Sequence, residues 1–286
     1  MAQLLLLQVL NGLTFAALLF MLASGFTLIF GLMRIMNLTH GGLYLMGGYI
    51  GYSVLVSTGN FLAALLAAGL VIAGLGAIVD RFLLERLRGQ VMAEVLLTIG
   101  LAFIIGDVSL AIWGGDPRTV RLSGFLGSSL DLLGTTYPAF RLVIVLTGVA
   151  IGAALWYIME RTRLGAIIRA GVDDREMVDA LGINIRLVFF LLFAFGAFLA
   201  GFTGVMGGAY LSLYPGADFE ILLYALVVVI IGGPGSLLGA VVGSIAVGLI
   251  NAFAIVLAPE LVYFTIFAPM ALILMWRPYG LFGRPL

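Results

Sequence analysis

The chain has no cysteine and no lysine: all 14 of its basic residues are arginine, and it carries a single histidine in 286 residues. Each absence removes a class of chemistry. Without cysteine there is no disulfide, no thiolate nucleophile and no iron–sulfur ligation. Without lysine there is no phosphate-binding loop of the GxxxxGK[ST] type and no Schiff base. One histidine excludes the HExxH and Cys/His zinc patterns. Charge is scarce as well, at 10% of residues against roughly 25% in soluble domains. The formal net charge is zero, so nothing points to nucleic acid.

What fills the chain is apolar. Hydrophobic residues make up 63%, and the mean hydropathy is +1.23. So few charges could not cover a soluble surface, so the expected solvent is lipid. A helical span needs about 20 apolar residues. Nine candidates are read at 8–31, 39–57, 60–79, 91–113, 139–159, 187–210, 219–232, 236–257 and 261–276. The second and seventh are short, and the second is rich in glycine, as expected of broken or re-entrant segments. The expected fold is an all-α polytopic membrane protein of eight or nine helices, forming one integral domain over 1–286. No basic residue precedes Arg34, so the first helix lacks the basic start of a signal peptide and is expected to be retained.

The arginines are distributed unevenly. With the 160–186 loop placed in the cytoplasm and the spans alternating, 11 of the 14 fall on the cytoplasmic side. Arg118, Arg121 and Arg141 fall on the other, together with Asp116, Asp131, Asp218, Glu220 and Glu260. This bias predicts an outside N-terminus and a cytoplasmic C-terminus. The longest external segment, 114–138, opens with the Gly-Gly-Asp-Pro turn and has room for a short interfacial helix.

Three constellations stand out. The most polar stretch is the 160–186 loop, with five arginines and five acids. Asp173 and Glu176 have the spacing of a capping box, and Gly182 that of a C-terminal stop. The short helix between them carries Asp174 and Ala180, and it puts Met177 and Leu181 on one face. Such a ridge serves either as a membrane-surface helix or as a docking knob. The second constellation is Asn37, Thr39 and His40 at the mouth of the second segment. These residues either cap that helix or line and gate a pathway. The third is a set of small-residue ridges, Gly196, Ala200, Gly204 and Gly208 on one helix and Gly239 and Gly243 on another. Small residues at this spacing let helices approach closely, for static packing, sliding or subunit pairing. No convincing internal repeat is present, since the echo of Gly25-Phe26-Thr27 in Gly201-Phe202-Thr203 is too weak to count, and a stand-alone carrier would need a clear inverted repeat. Acids inside spans are limited to Glu94 and Asp107, which argues against an ion-coupled carrier. No metal-ligand set is present.

Four stretches together resemble the permease of branched-chain amino-acid ABC importers of the Liv type, the first of its two permease subunits. They are Gly31 to Gly48, Arg169 to Asn184, Ile231 to Gly243 and Pro278 to Pro285, and the resemblance runs essentially end to end. The charged tail often found after the Gly-Arg-Pro element is absent. The resemblance implies a partnership with a second homologous permease, two ATPase subunits that bind ATP and magnesium, and a periplasmic binding protein. It implies a bacterial inner-membrane location and no cofactor in this chain. It also maps the 160–186 loop onto the coupling element, with Asp173, Asp174, Glu176, Met177, Ala180, Leu181 and Gly182 against the ATPase. Branched-chain or other hydrophobic amino acids are the implied cargo. Urea, amides and aromatic acids are the alternative, and a stand-alone secondary transporter is a more distant one. Intramembrane enzymes are disfavoured, since no paired nucleophile accompanies His40.

Overall fold

A computed structural model describes residues 2–33, 36–132 and 134–283. Arg34 and Arg284, both counted above on the cytoplasmic side, lie outside the described residues, as do Ile35 and Pro285.

Every apolar run becomes a helix. The order is α1 (Ala2–Met33), α2 (His40–Thr58), α3 (Phe61–Phe82), α4 (Val91–Trp113), α5 (Ala139–Arg161), α6 (Arg163–Asp173), α7 (Arg175–Ala180), α8 (Ile185–Tyr210), α9 (Ala217–Gly232), α10 (Leu237–Leu257) and α11 (Val262–Trp276). Among the described residues, seven helices are long and apolar enough to cross a membrane: α1, α3, α4, α5, α8, α10 and the last, counted from Pro259. Of the nine candidate spans, the two left out, α2 and α9, are the segments that are short in the sequence. Side-chain caps start several helices where the chain leaves a turn. Asn60 Oδ1 accepts from Ala63 N at 3.1 Å, Asn184 Oδ1 from Leu187 N at 3.1 Å and Ser236 Oγ from Gly239 N at 2.9 Å.

The expected interfacial helix in 114–138 is replaced mainly by a β-hairpin. Strand β1 (Ser129–Leu132) pairs antiparallel with β2 (Thr135–Pro138). A single 3₁₀ turn at Gly124–Gly127 precedes it. Four-residue strands with a turn at Gly134 are too short for an alternation pattern to announce them.

The core is built around α1 and α8. These two helices cross antiparallel. A Cβ on Gly25 would lie 3.3 Å from Leu199, and one on Gly196 would lie 2.7 Å from Ile29. Helix α1 packs along α10, and α8 packs along α3 and α2. Thus α1–α4 and α8–α11 take corresponding places in opposite directions. The tripeptide echo marks this inverted pairing: Thr27 and Thr203 are both buried within the two crossing helices. Backbone-to-backbone contact is what the two halves share, and it leaves little trace in the sequence.

Helices α2 and α9 both begin inside the bundle. The His40 imidazole Nε2 lies 3.2 Å from the Leu22 carbonyl. Leu22 is 11 residues before the end of α1, about 16 Å along its axis. At the start of α9, a Cβ on Gly106 would lie 3.8 Å from Asp218 Oδ2. Gly106 is seven residues from the outer end of α4, about 10 Å. The two starts meet, because Gly41 packs against Asp218 and Leu222. The re-entrant reading of these segments therefore takes a specific form: the chain turns back into the bundle before each helix starts.

Candidate coupling surface and intramembrane junction

The 160–186 loop folds into α6 and α7, two short helices at the end of the molecule that carries Arg81, Arg86, Arg161 and Arg277. The sequence reading put the cap at Asp173; the structure puts it one residue later. Asp174 Oδ1 accepts from Met177 N at 2.9 Å, while Asp173 is the last residue of α6. The helix that follows is six residues long. Two adjacent aspartates leave that one-residue ambiguity open until backbone angles are known. Gly182 does act as the stop, with φ of +80° and its N–H on Asp179 O.

One side of the knob is anchored and the other is free. Val178 is buried against Ile185 and Phe189. The Arg175 guanidinium stands 5.6 Å over the Phe189 ring. Ile183 N donates to Val178 O, and Ile185 N to Asp179 Oδ1. Met177 and Leu181, in contrast, are 59% and 71% exposed. Asp173, Asp174, Glu176 and Ala180 are exposed around them. The result is an apolar ridge ringed by acids and held rigidly from behind.

Three of the four stretches that carry the resemblance meet at this same end of the bundle. Gly31 packs directly on Gly235. The turn after α9 uses Gly233 (φ +93°) and Gly235 (φ +79°), conformations open to glycine. The tail then straps the turn, as Leu281 N donates to Ile231 O at 2.9 Å and Phe282 N to Gly232 O at 3.0 Å. Nearby, Arg88 Nη2 donates to both oxygens of buried Asp80, at 2.8 and 3.1 Å.

Asn37, Thr39 and His40 are brought together, and all three are buried. They hold broken backbone rather than cap the helix. Asn37 Oδ1 accepts from Thr39 N at 3.2 Å, Thr39 Oγ1 donates to Thr98 O at 3.0 Å, and Thr98 Oγ1 donates to Met36 O at 3.1 Å. Thr39 makes no side-chain cap bond to α2. Thr98 is a residue the sequence reading missed; its only sign was a hydroxyl in an apolar run. Asp218 was missed as well. It was assigned to an outer loop, yet it is buried against the start of α2. Among the described residues, no group of three or more metal-ligating side chains is present.

The small-residue ridges are used inside the chain. Gly196 meets α1, Gly204 meets Tyr44 and Gly48 on α2, and Gly208 meets Leu213. Gly239 meets Gly232, Gly243 meets Val228, and Ala200 is fully buried.

A family model described as branched-chain amino acid transport system / permease component matches residues 8–275. The chain belongs to this permease family. The high-affinity branched-chain amino acid transport system permease protein BraD of Pseudomonas aeruginosa is 28% identical, covering 97% of this permease and 95% of its own length. The corresponding LivH protein of Escherichia coli K12 is 27% identical with the same coverage. The ribose import permease RbsC of E. coli K12 is 26% identical over 80% of this permease and 72% of its own length. Among solved structures, PsaBC from Streptococcus pneumoniae covers 92% of this permease and 89% of that chain, with a TM-score of 0.49 and 14% identity. The protein is a multi-pass membrane permease subunit, with the helical fold that its apolar runs required.

Proposed function

We propose that this permease is the conduit of an ATP-driven, binding-protein-dependent importer for branched-chain or other hydrophobic amino acids. It pairs with a second homologous permease in a bacterial inner membrane. Two ATPase subunits bind ATP and magnesium at the cytoplasmic face, and a binding protein delivers cargo from outside. The observation that carries this reading is the exposed Met177–Leu181 ridge on a rigidly anchored knob. Family membership supports reading that knob as the place where an ATPase engages. The amino-acid cargo rests on BraD and LivH, whose names state it and which match nearly the whole chain; RbsC matches less of it.

Nine described arginines sit at the knob end and three at the hairpin end. That bias supports a cytoplasmic knob, an outside N-terminus and a cytoplasmic C-terminus. Nucleotide at the ATPases shifts the population between inward-open and outward-open states, through different contacts with α7 in each.

A carrier working alone is the rival. Two objections raised from the sequence do not survive the structure, since Asp218 is a buried acid between the faces and the halves pack in inverted fashion. Family membership decides against it instead. Because the chain has no native cysteine, Leu181→Cys and Ser129→Cys, both at exposed positions, can each be labelled with a membrane-impermeant maleimide in intact cells. Labelling of Ser129→Cys alone is expected. Labelling of Leu181→Cys, or uptake by the purified chain in liposomes without an ATPase, would overturn the reading.

A further inference from the structure

A cavity of about 630 Å³ lies at the end opposite the knob, on the flank between α3, α5 and α8. Its floor is Leu65 of α3 with Phe202 and Met206 of α8, and its far wall is Val143 and Thr147 of α5. Thr147 lies eight residues from the start of α5, and Phe202 eight residues from the end of α8. The groove therefore reaches about 12 Å below the helix ends. One leaflet of hydrocarbon is about 15 Å thick.

The groove opens outward on the flank of the helix bundle. Leu62, which lines it, is 62% exposed, and Leu146, beside it on α5, is 68% exposed. At this depth the surrounding medium is acyl chain. An apolar gap left empty would forfeit the dispersion contacts of its lining, and water gains little in one. Of the polar side chains that line it, Thr58, Asn60 and Ser123 lie at the rim, and Thr147 alone lies at depth.

A second cavity, of about 270 Å³, shares the Leu122 and Leu126 wall and is lined by Arg141 and Tyr210. Arg141 is the third residue of α5, at headgroup level. Its guanidinium donates to Asn11 Oδ1 and stands 5.7 and 5.3 Å over the Tyr137 and Tyr210 rings. Among the described residues, no carboxylate pairs with it. An oriented cation with neutral partners, next to an acyl-sized groove, matches a phosphodiester.

We propose that this outer-leaflet groove holds one acyl chain of an anionic phospholipid, whose phosphate sits at Arg141. The site is a property of the permease flank and does not depend on which solute is moved.

The test uses the complete transporter, reconstituted in phosphatidylcholine with chain-spin-labelled phosphatidylglycerol. Thr147→Trp and Val143→Phe each fill the groove, whereas Leu146→Trp, one position away and outward, leaves it open. The wild type and Leu146→Trp should show a motionally restricted lipid component larger by about one lipid per permease than either filling variant, all four melting alike. Arg141→Gln should weaken the preference for phosphatidylglycerol over phosphatidylcholine about tenfold. Equal restricted components in all four proteins would overturn the groove assignment. Unchanged headgroup preference in Arg141→Gln would overturn the Arg141 assignment. Cross-linking of Leu62→Cys to the second permease would show that protein covers the groove, and would overturn the proposal as a whole.

Discussion

Replacing Leu181 tests the coupling surface with little risk to the fold. In the isolated permease this side chain is 71% exposed. Its loss costs the chain itself no more than about 0.5 kcal/mol, the range for surface substitutions. Fully burying a leucine stabilises by roughly 1.5–3 kcal/mol. About seven-tenths of that remains to be gained at a partner surface, or about 1–2 kcal/mol. Leu181→Ala should therefore weaken ATPase binding about 5- to 30-fold. Leu181→Asp should weaken it further, because an unpaired carboxylate would be desolvated. The assay is co-purification and titration of the ATPase subunits against permease in nanodiscs, with the melting temperature measured in parallel. Unchanged affinity and transport in Leu181→Asp, with an unchanged melting temperature, would refute the docking role. Val178→Asp is the contrasting variant: Val178 is 3% exposed, so it should detach the knob from Ile185 and Phe189 and lower ATPase binding together with local protection.

Asp174→Ala should destabilise α7 by about 0.5–2 kcal/mol through loss of its cap, while Asp173→Ala should be close to neutral; hydrogen exchange at 175–180 distinguishes the two. A Cβ at Gly204 would lie 2.8 Å from Gly48 N and closer still to the Tyr44 carbonyl. Gly204→Val should accordingly cost about 1–3 kcal/mol or more, read as a lowered melting temperature. Asp80→Asn leaves Arg88 without its carboxylate. Asp80 is 2% exposed and Arg88 18%, so a loss of about 3–5 kcal/mol is expected, with Arg88→Met/Asp80→Leu recovering part of it.

The spans were readable because a continuous apolar run of sufficient length has one outcome in lipid. Their bounds, from 91–113 to 237–257, fall within a few residues of the sequence estimates except at α1, which starts earlier. The knob was readable from its acids and Gly182. What could not be read is which apolar surface meets protein and which meets lipid, since both are leucine, valine and isoleucine. That is why α2, with ten buried residues in its 19, looked merely short. It is also why Asp218 was placed in an outer loop. Seven residues separate it from the hydrophobic end of α8 at Tyr210, and only the inward turn at Tyr214 to Gly216 shows that the chain has gone back inside. Thr39 and Thr98 illustrate a related limit: which carbonyl a buried hydroxyl serves is decided by chain 59 to 62 residues away.

The long seam between α1 and α10 has a consequence for biosynthesis. Roughly 200 residues must leave the ribosome after α1 before α10 exists, which takes about 10–40 s at ordinary translation rates. Through that interval the first helix waits in the membrane with its smallest residues uncovered. Gly12, which will close on Leu249, has nothing yet to close on. Insertion machinery or a membrane chaperone that shields this face during the delay would govern how much protein a cell obtains. Variants along the α1–α10 seam should therefore alter yield before they alter the finished transporter.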